Sequence, residues 1–135
     1  FGFAPHKICF EVTETVAINN LQSTNAIIAQ MREKGFLFSL DDFGSGLASY
    51  GYLQQLPVDY LKIDGSFIKK ICDSQVDFKL VESMNSVAHH IGLKTIAEYV
   101  ESEDILEKLK ELNVDYAQGH YYGKAIPIEE YAAII

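Results

Sequence analysis

The sequence has no tryptophan and few cysteines, prolines and basic residues. Its two cysteines, Cys9 and Cys72, make no CxxC pair and no disulfide framework, which favours two packed thiols in a reducing cytosol. No run reaches the roughly 20 apolar residues of a membrane span, and the N-terminus lacks a signal-peptide pattern. We therefore expect no membrane segment in this chain and a cytoplasmic location, within a protein that can be larger and membrane-anchored.

Eleven basic residues stand against 19 acidic ones, which gives a formal net charge of -8. A surface this acidic repels nucleic-acid backbones, so we expect no nucleic-acid partner. An anionic substrate would need cations to mediate its binding. The 135 residues, 48% of them hydrophobic, are enough for one modest domain. Because the first residue is Phe1 rather than methionine, we expect a piece of a longer protein.

Apolar segments alternate with amphipathic segments along the chain. The predicted strands are residues 7–14, 36–42, 58–64, 93–100 and 114–119. Helices are predicted over residues 23–35 and 77–91, after an N-cap at Ser102, and from Pro127 through Tyr131 and Ile134. Successive strand–helix units imply a parallel sheet. The residues leave two α/β architectures open: an open doubly wound sheet, which the chain length favours, and part of a (β/α)8 barrel.

Side chains that could take part in catalysis or metal binding cluster where the predicted strands end. They are Glu11, Thr13, Glu14, Asp41, Asp42, Lys62, Asp64, Glu98 and Gln118. In parallel α/β folds this edge carries the active site. Lys62 cannot balance the acids alone, whereas Mg2+ or Mn2+ binds carboxylate and amide oxygens. Two adjacent aspartates suit a pair of ions, so we interpret Asp41 and Asp42 as a metal platform.

Five motifs together resemble one protein family. They are EVTE at residues 11–14, DDFGSG at 41–46, LPVDYLKID at 56–64, AEYVE at 97–101 and AQGHYYGKAIP at 117–127. Their order and spacing are similar to those of EAL domains, bacterial phosphodiesterases specific for cyclic di-GMP, over essentially the whole chain. The resemblance implies a modified TIM barrel, of which residues 1–135 would form the last five of eight strand–helix units, strands 4 to 8, with the three N-terminal strands absent.

The resemblance also implies a reaction and a set of roles. Cyclic di-GMP would be opened to linear pGpG with two divalent ions, Mg2+ or Mn2+, and an activated water. The implied metal ligands are Glu11, Asp41, Asp42 and Glu98. Lys62 would hold the attacking water, Glu98 would serve as a ligand or general base, and Gln118 would support the metal–water cluster. Glu14 would anchor the loop at residues 43–52, and Glu101 would add a supporting carboxylate.

Two substitutions and one absence depart from the family pattern. Ser45 replaces the commoner threonine, and Tyr99 stands where glycine is usual. The Glu-Ala-Leu strand and the asparagine-bearing strand after it are missing. The alternative function is a catalytically silent cyclic di-GMP receptor or protein-interaction module. The resemblance links the loop after Asp42 to dimerisation, so we expect a homodimer through this loop and neighbouring helices. We also expect the 135-residue piece alone to be inactive, and either to associate through its exposed sheet edges or to need its missing N-terminal segment.

Overall fold

A computed structural model describes residue 2 and residues 4–45, 50–127 and 129–130. The strands in this part of the chain are β1 Cys9–Thr13, β2 Leu37–Phe43, β3 Tyr60–Ile63, β4 Lys94–Ala97 and β5 Tyr116–Ala117. The α-helices are α1 Glu14–Asn19, α2 Leu21–Glu33, α3 Tyr50–Leu53, α4 Gly65–Ile68, α5 Gln75–His90 and α6 Glu103–Glu111, and a 3-10 turn spans Pro5–Lys7.

The five strands form one sheet in chain order, β1-β2-β3-β4-β5, and every neighbouring pair is parallel. Parallel neighbours need crossover connections, which the helices supply. The α/β class and the five predicted strands are therefore confirmed. The carboxyl ends of all five strands lie at one edge of the sheet, so the predicted polar residues meet there.

The two longest helices that follow the middle strands are specified by local sequence. In α5 the apolar residues recur on one face, and Ser74 accepts a hydrogen bond from the Asp77 amide as N-cap. Ser102 caps α6 in the same way, through the Ile105 amide at 3.3 Å. Both caps satisfy amides that would otherwise lack a partner in the first helical turn. The N-cap predicted at Ser102 is confirmed.

The sheet has one face covered by helices and one face that lines a recess. Leu40, Leu61, Ile63 and Ala97 are fully buried beneath the helices. The opposite face contributes side chains to a recess of about 430 Å3, lined by residues that include Cys9, Glu11, Ser39, Tyr60, Ile96, Tyr116 and Gln118. This is the face on which alternation predicts Glu11, and the site described below lies at its carboxyl-end rim.

Some predicted boundaries differ from the observed elements. Glu14 does not end the first strand, because it is the first residue of α1. The fourth strand stops at Ala97 rather than at residue 100, and Tyr99, two residues further on, has a φ of +56°, outside the extended region of a regular strand. The short helices α1, α3 and α4 are not predicted from the sequence. The predicted closing helix after Pro127 falls largely outside the described residues.

Two features of the described residues concern the surface. No helix there combines the length and the apolar character that crossing a bilayer requires. Strands β1 and β5 each have a neighbour on one side only, and most of their residues are exposed. An unpaired parallel edge offers free backbone donors and acceptors to another strand.

Candidate active site

The carboxyl end of β2 brings two adjacent aspartates to the same rim. In a regular strand, neighbouring side chains point to opposite faces. Here the register between β2 and β3 shifts between Leu40 and Phe43, and Asp42 has a φ of +57°. A bulge of this kind redirects side chains, and aspartate tolerates positive φ better than most residues. As a result, carboxylate oxygens of Asp41, Asp42 and Glu98 lie within 4.8 Å of one another.

Lys62 lies buried among these acids with 3% of its surface exposed. Its Nζ is 2.8 Å from Glu11 Oε1, 2.8 Å from Glu98 Oε1 and 3.3 Å from Asp41 Oδ1. Burial by itself would lower the pKa of the ammonium, but the hydrogen bonds to Glu11 and Glu98 outweigh it and raise the pKa. Lys62 therefore remains a cation that bridges three strands, and it is not part of a surface salt bridge.

The carboxylates of the cluster carry more negative charge than Lys62 neutralises. Burial, followed by repulsion from Asp41 and Asp64, raises the pKa of Asp42. Burial also raises the pKa of Glu98, although the hydrogen bond from Lys62 opposes this. Three carboxylates close enough to share one ion form a donor set that suits Mg2+ or Mn2+. The residues present thus fit a divalent cation.

Glu11 occupies a separate position at this rim. It projects from the edge strand β1, is half exposed, and makes its ion pair with Lys62. Among the described residues the group that could share a single ion consists of Asp41, Asp42 and Glu98, without Glu11. The structure therefore brings Glu11 to the cluster through Lys62. Its role as a ligand of a first metal stays a prediction.

Glu14 lies below the rim and faces the loop that follows β2. Its side chain is buried with 2% exposure, accepts a hydrogen bond from the Gly44 amide at 3.1 Å, and accepts a second from the Tyr52 hydroxyl. Gly44 has a φ of +93°, and a Cβ there would lie 2.8 Å from the Phe67 ring. Glu14 thus ties together both ends of the loop at residues 43–52, whose residues 46–49 lie outside the described part.

Gln118 and Glu101 lie beside the acidic cluster. Both line a recess of about 310 Å3, together with Glu98, Tyr99 and His120. One wall of this recess is held by the backbone, because the main-chain amide of Gln118 donates a hydrogen bond to the carbonyl oxygen of Ala97 at 2.8 Å. The side chain of Glu101 is exposed at the outer end of the recess. The structure places both residues within the same recess as Glu98, and their roles stay predictions.

Sequence patterns do not assign a role to two residues that shape the site. Tyr52 completes the Glu14 anchor, yet a tyrosine in a loop carries no pattern that distinguishes it from a packed aromatic residue. Asp64 ends the third predicted strand; its carboxylate caps α4 through the Ser66 amide at 2.8 Å and adds to the negative field at Asp42. The Asp-Gly-Ser sequence at residues 64–66 is a recognisable capping signal.

A parallel α/β sheet with a cluster of polar side chains at its carboxyl edge is typical of α/β domains whose active site lies at that edge. Within this class the chain belongs to the EAL domain family, whose profile matches residues 1–125. The match includes all five motifs up to residue 125 of the last one. The predicted family is confirmed, and with it the TIM-barrel-like form of the α/β fold.

Individual relatives agree with this assignment. Cyclic di-GMP phosphodiesterase PdeB of Shewanella oneidensis is 46% identical over 131 residues, which cover 97% of this chain and 15% of that protein. Cyclic di-GMP phosphodiesterase PdeA of Borreliella burgdorferi is 45% identical over 122 residues, 90% of this chain and 18% of that protein. A solved structure described as the PaMucR phosphodiesterase in complex with c-di-GMP superimposes with a TM-score of 0.89 at 33% identity, covering 96% of this chain and 52% of that one. The chain thus spans under a fifth of these two curated relatives.

Proposed function

We propose that this chain is the carboxyl-terminal part of an EAL domain that hydrolyses cyclic di-GMP to linear pGpG. The observation that carries the proposal is the cluster of Asp41, Asp42 and Glu98 around one point, with Lys62 buried beside it. The named activity of the 45–46% identical relatives supports the substrate. The complex of the PaMucR structure supports binding of the same dinucleotide.

Asp41, Asp42 and Glu98 would hold the divalent cations, Mg2+ or Mn2+, with Glu11 contributing from the edge strand. Such ions, when bound, make a water molecule more acidic and neutralise charge on the phosphoryl oxygens. The number of ions expected from the family is two. The chain has a formal net charge of -8, so a dianionic substrate would need cations at the place where it binds.

The chain's own residues would orient the reactants and move the proton. Lys62 stays protonated because its pKa is raised, so its ammonium is a fixed donor and positive charge at the rim. Glu98 is a carboxylate whose pKa burial raises, which makes it a stronger proton acceptor than an exposed glutamate. Hydroxide from water adds to phosphorus, the bond from phosphorus to the 3' oxygen breaks, and that oxygen receives a proton. The side-chain amide of Gln118 would complete the water-binding side of the recess.

The proposal is tested by following cyclic di-GMP and pGpG chromatographically with a complete domain that includes this chain, in Mg2+ or Mn2+. The wild-type domain should produce pGpG, and Asp41→Asn should lower kcat by at least about a thousandfold, since it removes a charge that would hold the cation. Asp59→Asn is the matched control: Asp59 has a similar side-chain exposure, 20% against 19%, but pairs with Arg32 at the opposite end of the sheet.

The controls separate hydrolysis from other functions. Asp59→Asn should retain kcat within about twofold while lowering thermal stability, because Asp59 accepts hydrogen bonds from Arg32 and from the Phe38 amide. Turnover by Asp41→Asn close to the wild-type rate would contradict the metal platform. Tight binding of cyclic di-GMP by the wild-type domain without any pGpG would instead identify a silent receptor.

We also propose that three further strand–helix units complete the barrel and that the domain dimerises through the loop after Asp42. The fold similarity to a chain about twice as long supports the first part. The unpaired edges of β1 and β5 agree with it. The proposed dimer loop includes residues 46–49, outside the described part, so mutagenesis of this loop followed by light scattering is its test.

A further inference from the structure

Tyr99 has an unusual backbone and an unusual exposure for an aromatic residue. Its φ is +56°, in the left-handed region, where bulky side chains are rare because the Cβ crowds the following carbonyl. Its side chain is exposed, with 52% of its surface accessible. Strained conformations persist where surrounding contacts hold them, and they concentrate at functional sites. Tyr99 directly follows Glu98, so its strain lies next to the acidic cluster.

Contacts with helix α4 fix the position of the Tyr99 ring. A Cβ added at Gly65 would lie 2.1 Å from the ring, so only glycine allows the ring to rest there. Lys69 lies four residues further along the chain, and its Nζ is 4.0 Å from the ring centroid, within the range of a cation–π interaction. Gly65 and Lys69 together hold the ring in one place while leaving half of it accessible.

Tyr99 borders a recess next to the proposed site. It is one of the residues that line the recess of about 310 Å3, together with Glu98, Gln118 and His120. Among the described residues, no hydrogen bond involves the Tyr99 hydroxyl, and the contacts with Gly65 and Lys69 are made by the ring. A rigid aromatic ring beside a phosphodiester-cleaving centre offers a flat surface to a nucleobase, and stacking of this kind contributes substantially to nucleotide binding.

We propose that Tyr99 is a substrate-binding residue that stacks on a guanine base of the dinucleotide, with Gly65 and Lys69 positioning its ring. This inference rests on the proposed phosphodiesterase function. A stacking contact lies away from the reacting phosphorus and is made equally in the ground state and the transition state. It therefore lowers KM and leaves kcat unchanged.

The test compares three variants of the complete domain. Tyr99→Gly removes the ring and tolerates the positive φ, Tyr99→Phe keeps the ring, and Gly65→Ala displaces the ring without removing it. KM and kcat are measured for cyclic di-GMP, and its Kd is measured calorimetrically in Ca2+. Tyr99→Gly and Gly65→Ala should raise KM and Kd about tenfold or more with kcat within about twofold, and Tyr99→Phe should stay within about twofold in all three.

Tyr122→Gly is the matched control, since Tyr122 is similarly exposed at 60% but packs on Tyr121 and does not line the recess. It should leave KM unchanged. An unchanged KM in Tyr99→Gly, a loss of kcat alone, or a rise of KM in Tyr99→Phe or Tyr122→Gly as large as that in Tyr99→Gly would overturn the stacking role while the wild-type activity stands. A wild-type domain that neither binds nor cleaves cyclic di-GMP would overturn the proposed function and this inference with it.

Discussion

Lys62 is the residue on which the arrangement of the acidic cluster depends most. Its ammonium contacts carboxylates of β1, of β2 and of the residue that follows β4, which would otherwise repel one another at short distance. Among the side chains that surround it, Glu98 and Asp41 are themselves largely buried, at 13% and 19% exposure. Removing one partner of a buried ion pair leaves an uncompensated charge, which costs more than the pair contributes.

Lys62→Met should therefore lower the free energy of unfolding of the metal-free protein by about 3 kcal/mol at pH 7, measured by urea denaturation. The loss should shrink as the pH is lowered, because the raised pKa values of Asp42 and Glu98 let these two acids take up protons at a higher pH than exposed acids, which relieves the repulsion. Lys79→Met is the control: its pair with Glu82 is exposed and should change stability by less than about 0.5 kcal/mol. Equal losses in the two variants would show that burial of Lys62 is unimportant.

At the scale of elements, a polar network joins α5, β4 and β5 at the opposite end of the sheet from the site. The Thr95 hydroxyl donates to Asn85 Oδ1 at 2.5 Å, and Asp115 Oδ2 accepts from the Thr95 amide at 2.8 Å. His89 Nε2 lies 2.7 Å from the same carboxylate oxygen. Burial alone would raise the pKa of Asp115, but hydrogen bonds from Thr95 and His89 outweigh it and lower the pKa.

A carboxyl group whose pKa is lowered in the folded state stabilises the fold above its unfolded pKa of about 3.9. This contribution is lost as the pH falls through the lower folded pKa. Asp115→Asn should thus reduce the free energy of unfolding by about 2 kcal/mol at pH 7, the size expected for hydrogen bonds to a charged group. The difference from wild type should shrink steadily below pH 4 in a series of urea titrations. A difference that stays constant from pH 7 to pH 2 would contradict the role of the charge.

The loop after β2 is packed tightly against α4 and α5 at Gly44. A Cβ there would lie 2.8 Å from Phe67 and 3.2 Å from the Met84 sulfur, and the φ is already +93°. Gly44→Ala should cost about 2 to 3 kcal/mol of stability from strain and overpacking together. Gly92→Ala shares the positive φ, at +84°, but meets nothing within 4 Å, and should cost about 1 kcal/mol. Equal losses in chemical denaturation would refute the packing contribution.

The elements that the sequence predicts well are those with a strong local signal. Helix α5 has an apolar stripe and an N-cap at Ser74, and the strands are apolar runs that end at acids. The bulge that brings Asp41 and Asp42 together is not predictable, because it depends on pairing with β3, which no local pattern encodes. For Glu14 the anchoring role is implied by the family resemblance but by no local pattern, because its partners Gly44 and Tyr52 lie 30 and 38 residues further along the chain.

At the scale of the whole molecule, the described sheet leaves two strands half-paired and one face lining an open recess. Strands β1 and β5 bracket a concave surface that carries Tyr60, Ile96 and Tyr116. In a closed barrel such a surface is buried by the side chains of the remaining strands. The 135-residue chain alone exposes it to water together with the two edges.

The isolated 135-residue chain should therefore self-associate and show no turnover of cyclic di-GMP, because apolar surface and free strand edges promote pairing between chains. Size-exclusion chromatography with light scattering, combined with the chromatographic pGpG assay, measures both properties. Adding the preceding strand–helix units should restore a defined oligomer and activity. A monomeric, fully active 135-residue chain would contradict this account of the sheet edges.

In the proposed site, divalent cations balance the charge of the crowded carboxylates at the rim, and calorimetric titration of Mn2+ into the metal-free complete domain measures this binding. We predict saturable binding that Asp41→Asn weakens by at least about tenfold, since it removes one of the three carboxylates that could share an ion, whereas Asp59→Asn leaves the isotherm unchanged. Identical Mn2+ isotherms for the wild-type domain and for Asp41→Asn would contradict it.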